Sequence, residues 1–80
     1  MISAGPQELL AFERRWVNDP RAGDGRKAQA ILETFGVNET RHYQRLVAAI
    51  GTRGAWEADA GMTAILTERL RSRARGSRAG

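Results

Sequence analysis

The sequence predicts an all-α fold, a small helical bundle of about four helices followed by a basic C-terminal extension. Three observations lead there. Apolar residues recur at helical spacing in four segments, no stretch alternates apolar and polar residues as a half-buried strand does, and the breaks between segments carry glycine, proline and asparagine. With 80 residues and no cysteine, the chain has material for one core, held by helix packing, dimerisation or a ligand rather than by disulfides.

The first helix is expected in "PQELLAFERRWV", where Leu9, Phe12 and Trp16 fall at i, i+3 and i+7 and Leu10 and Val17 broaden the stripe. Pro6 suits the first helical position, where its missing amide costs nothing, and Glu8 suits the first turn. Asp19 before Pro20, and two glycines after it, predict a loop over residues 18–25. Asp24 can then cap a second helix through "GRKAQAILETF", in which Ala28, Ile31, Leu32 and Phe35 make the stripe and Gly36 marks the end.

A third helix follows at once. Asn38 can cap it, Glu39 favours its positive end, and Tyr43, Leu46, Val47 and Ile50 repeat the spacing. After "GTRG" the pattern is ambiguous. Trp56 is expected to pack on the body or to mediate contacts, and Met62, Ile65, Leu66 and Leu70 define a fourth helix. Beyond Leu70 no large apolar residue remains, so the reading divides the chain into a domain over 6–70 and an arginine-rich, flexible tail over 71–80.

Two amphipathic helices joined by a tight glycine-containing turn have the layout of a helix-turn-helix, whose second helix enters the major groove of DNA. That helix, near residues 38–51, would keep its apolar face in the domain. Its other face would offer Glu39, Thr40, Arg41, Gln44, Arg45 and Ala48, and its start Asn38, with side chains able to contact phosphates or base edges; arginine pairs with guanine and glutamine with adenine. The turn departs from the common pattern. Leu32 stands where a small residue often allows close crossing, and the apolar position after the turn falls on Tyr43, with His42 in its place, as if the turn were one residue longer.

Charge is unevenly placed. Residues 1–68 hold eight of the thirteen basic and all nine acidic residues, for a net −1, whereas residues 69–80 hold five arginines and no acid, for +5. Arg69, Arg71, Arg73 and Arg75 are therefore expected to grip the nucleic-acid backbone, since such a segment attracts polyanions. No leader or apolar run of membrane-spanning length is read, and a cytoplasmic, nucleoid-associated protein is expected. His42, the single histidine, has no cysteine or second histidine to form a metal site and is expected as a boundary residue or core hydrogen bonder. Glu8 with Glu13, or Asp24 with Glu33, suit helix starts and exposed faces better than a catalytic pocket. No enzyme and no cofactor are expected.

At "LLAFERRW", "TRHYQRL" and "MTAILTERLRSRAR" the chain resembles a small actinobacterial and phage family of uncharacterised helix-turn-helix proteins. Its members carry "FERxWW", "TRYYQ" and an arginine-rich end. The resemblance spans roughly Glu8 to Arg75 and points to Thr40, Arg41, Tyr43 and Gln44 as the hallmark segment. Val17 stands where a second tryptophan is usual, His42 replaces a tyrosine inside the reading segment, and "NDPRAGDG" is a longer loop. Together these readings predict a sequence-specific double-stranded DNA-binding protein, a transcriptional regulator or accessory factor, acting as a homodimer or with a transcription-machinery partner. The alternative is a protein-interaction module docking on a sigma factor, RNA polymerase or a phage or host protein. A weaker third is an RNA-binding accessory protein.

Overall fold

Four helices follow one another: α1 (Pro6–Trp16), α2 (Arg26–Phe35), α3 (Glu39–Ile50) and α4 (Arg53–Ala79), with a single 3-10 turn at Pro20–Gly23 between the first two. The computed structural model describes residues 5–23 and 25–79, with side chains for all of these except 21, 22 and 74–79, and among the described residues there is no strand. The all-α expectation is met. Asp24, expected as the cap of α2, lies outside the described residues, and Gly25 occupies the N-cap position.

Local chemistry sets the helix ends. The Gly5 amide donates to Glu8 Oε1 at 2.9 Å, which satisfies one of the free donors at the start of α1. Gly36 ends α2 with φ 72°, a left-handed conformation that glycine adopts without a Cβ clash, and its amide donates to the Leu32 carbonyl. Thr52 joins α3 to α4: its hydroxyl donates to the Ala49 carbonyl and accepts from the Ala55 amide.

The interior has two parts. Leu9 and Leu10 of α1, Leu46, Ala49 and Ile50 of α3, and Ala55, Met62 and Leu66 of α4 form an aliphatic core, with Val17, Phe35 and Leu70 packed against it. Beside it runs an aromatic seam. Phe12 meets Phe35 and His42 edge-on at 5.3 and 5.5 Å between centroids, while Phe35 and His42 stack at 5.3 Å. Burying these side chains supplies the drive for folding.

The ambiguous stretch after residue 50 resolves into a helix broken once. Asp59 has φ −161° and ψ 86°, and its Oδ1 accepts from the Met62 amide at 3.0 Å, so it starts the long second part of α4 as an N-cap. The hydroxyl of fully buried Thr63 lies 3.0 Å from the Ala55 carbonyl and 2.8 Å from that of Asp59, covering groups that the break exposes. Arg14 of α1 holds Asp59 from outside through two bonds of 2.8 and 2.7 Å.

Several expected faces are rotated. In α3 the buried residues are His42, Leu46, Ala49 and Ile50, whereas Tyr43 and Val47, expected in the core, are 36% and 45% exposed. Since His42 itself fills the first core position, the three residues between α2 and α3 make a turn of ordinary length. Leu32 of α2 is 52% exposed rather than sealed in its stripe, and in α4 Thr63 is buried while Ile65 is not. Helix α4 runs through the arginine segment to Ala79, arginine and alanine being strong helix formers.

Candidate functional site

The candidate site is the face of α3 turned away from the core. Asn38 Oδ1 accepts from the Arg41 amide at 2.9 Å, so the side chain expected to touch a ligand is engaged in capping the helix. Each residue advances the helix by about 100°. Opposite the buried His42, Leu46, Ala49 and Ile50 therefore stand Gln44, Ala48, Thr40 and Arg41, with Val47 between Gln44 and Tyr43, all exposed. Arg45 is half-buried on one flank, and Tyr43 and Glu39 occupy the other. Among the described residues no carboxylate pairs with Arg41 or Arg45.

Helical geometry divides the C-terminal arginines. Arg69 and Arg73 lie one turn apart on the side of α4 that faces α3, and the Arg73 guanidinium sits 5.1 Å from the centroid of the Tyr43 ring. Arg69 also donates to the Val17 carbonyl at the end of α1, at 3.3 Å. Between these side chains and α3 opens a cleft of about 350 Å³, bordered by Glu39, Tyr43, Leu70 and Arg73. Arg71 is exposed and, two positions from each neighbour, projects about 200° away from them. The side chain of Arg75 lies outside the described residues.

A buried polar cluster supports α3 from beneath. Glu13 of α1, only 4% exposed, receives His42 Nε2 at 2.8 Å on one oxygen and Lys27 Nζ at 2.8 Å on the other. Burial pushes the Glu13 carboxyl up, but the bonds from His42 and Lys27 outweigh it and hold the group below its ordinary 4.5. Ionised carboxylate only accepts, so the shared proton resides on His42 Nε2, and Nδ1 is left without a protein partner. Glu13 thus corrects the expectation of an exposed carboxylate. His42, expected inside the reading segment, lies under it and orients the helix.

Comparison with known proteins adds one finding. The family model described as protein of unknown function (DUF3263) matches residues 2–80. The chain belongs to that family. No curated protein and no solved structure matches it.

In this family member the sequence-predicted site is brought together only in part. Thr40, Arg41 and Gln44 share the exposed side of α3, and Arg73 joins them across Tyr43, while Asn38 caps, Arg69 reaches α1 and Arg71 points elsewhere. Val47 was missed as a surface residue, and Glu13 and Lys27 as supports. One signal was present: Glu13 follows Leu9 by four, which puts a carboxylate on the apolar stripe. Among the described residues no three histidine, cysteine or acidic side chains gather as a metal site, and no helix is long and apolar enough to cross a membrane.

Proposed function

We propose that the protein binds double-stranded DNA in a sequence-dependent way, with α2 and α3 as a helix-turn-helix and α3 entering the major groove, as a transcriptional regulator or accessory factor inside the cell. The observation that carries this reading is the outward side of α3. It presents Thr40, Arg41, Gln44 and Val47 on a helix whose opposite side is fixed in the core, with Arg73 alongside across Tyr43. A reading helix needs that division: base-edge contacts along its crest and cations beside it for the two phosphate strands. The resemblance to actinobacterial helix-turn-helix proteins supports it further. One domain of this size covers a short half-site, so a second copy or a protein partner is part of the proposal.

The test is recovery and sequencing of genomic DNA fragments bound by the full chain at physiological salt. A shared motif supports the reading, and Arg41→Ala then relaxes it. Replacing Arg71, Arg73, Arg75 and Arg78 by alanine weakens all duplexes together and flattens the salt dependence. Uniform recovery that vanishes as salt rises sinks sequence-dependent binding. It would turn attention to the second reading, a protein-interaction module, which the exposure of Trp56 and Ile65 on α4 favours.

A further inference from the structure

The apolar side chain on the outward side of α3 is Val47. It is 45% exposed in the middle of the helix. The exposed side chains beside it toward the crest are polar: Gln44 three residues earlier and Thr40 one turn before that. A protein groove that buried Val47 would also have to bury the amide of Gln44 and accommodate the arginines on both flanks. The floor of the major groove offers what this strip needs, methyl groups and paired donors and acceptors side by side.

The base pair that presents both is A·T. Adenine shows N7 as acceptor and its N6 amino group as donor, the complement of a glutamine amide, while the thymine C5-methyl is the apolar group of the groove. Gln44 and Val47 are separated by about 4.5 Å along the helix axis, close to the roughly 3.4 Å between stacked base pairs. They therefore address neighbouring steps. Glu39, the single carboxylate of α3, lies at the start of the helix and disfavours a phosphate there, which leaves strand contacts to Arg41 on one side and Arg73 on the other.

Resting on the proposed DNA binding, we infer that the site contains two adjacent A·T pairs, the adenine of one held by Gln44 and the thymine methyl of the next packed on Val47. Both contacts come from the exposed side of α3. Thr40 and Tyr43 border them and set the flanking positions.

Selection from a random duplex pool tests this directly. The full chain should enrich sequences sharing two adjacent A·T pairs. Rebuilding the recovered duplex with deoxyuridine in place of thymidine removes only the methyl groups, and wild-type binding should fall about four-fold, the worth of one buried methyl. Val47→Ala, checked for helix content by circular dichroism, should bind the two duplexes equally, and Gln44→Ala should lose the adenine preference while keeping sensitivity to the methyl. Enrichment of a G·C-only motif, or wild-type binding indifferent to deoxyuridine, overturns the inference while leaving DNA binding intact. Enrichment of no sequence at all overturns the proposed function, and this inference with it.

Discussion

Glu13→Ala is the substitution on which the interior stands or falls. It removes the acceptor for both His42 and Lys27 and leaves two donors beneath α3. Lys27 keeps 23% of its side chain exposed and can turn its amine to water, so its loss is about 0–1 kcal/mol. His42, 3% exposed between Phe12 and Phe35, has no such escape, and an unsatisfied buried polar group costs about 1–3 kcal/mol. The space vacated beside the rings adds about 1 kcal/mol. The sum is about 3 kcal/mol, against a total of about 4–12 kcal/mol for a domain of this length. Urea denaturation followed by far-ultraviolet circular dichroism reads the change, and the melting temperature should drop by roughly 10–25 °C. Glu13→Gln keeps the volume and an acceptor and should cost about half as much. The double change Glu13→Leu with His42→Phe should recover part of the loss, because a dry apolar pair needs no partners. A cost below about 1 kcal/mol for Glu13→Ala, or one no larger than that of Glu13→Gln, would refute the reasoning that His42 depends on this carboxylate.

The same cluster and the Asp59 cap predict the acid side of the stability profile. Both carboxyls are lowered on folding, so their contributions are present above the ordinary values of 4.5 and 3.8 and are lost as pH falls through the folded ones. Asp59, held at about 2 by the Arg14 fork and then by the Met62 amide, governs the more acidic part; Arg14→Ala should flatten that part in melting curves at successive pH values and leave the Glu13 part unchanged. Asn38→Ala should destabilise by about 1 kcal/mol in the same urea assay, with Asn38→Asp close to wild type, since aspartate caps as well. Gly36→Ala should cost about 1 kcal/mol although nothing lies within 4 Å of the added Cβ, so a D-alanine at that position in a synthetic chain should restore stability.

What the sequence revealed and what it concealed differ in kind. The existence and order of the helices follow from local spacing and caps: Pro6, Gly36 and Asn38 act within a few residues of themselves. The rotation of α3 does not. Counting apolar residues places Tyr43 and Val47 inside and leaves His42 at a boundary, because histidine is polar until a partner is known. That partner is Glu13, 29 residues away, and a carboxylate on one apolar stripe makes sense only beside a donor on another. The break at Asp59 was hidden for a related reason. Its cap is local, but the arginine that fixes its direction comes from α1, 45 positions earlier. The candidate site was half legible as a result: Thr40, Arg41 and Gln44 follow from helix spacing, while the exposure of Val47 and the docking of Arg73 required knowing how neighbouring helices turn.

The fork between Arg14 and Asp59 sets an aim as well as an ending. From Asp59 to Arg73 the helix travels about 20 Å at 1.5 Å per residue, so a tilt of about 10° at its start swings the far guanidinium by about 3–4 Å. That displacement is larger than the tolerance of a hydrogen bond. The two arginines therefore stand at opposite ends of one helical segment: Arg14 pairs with the residue that starts it, and Arg73 rests on Tyr43 near its far end.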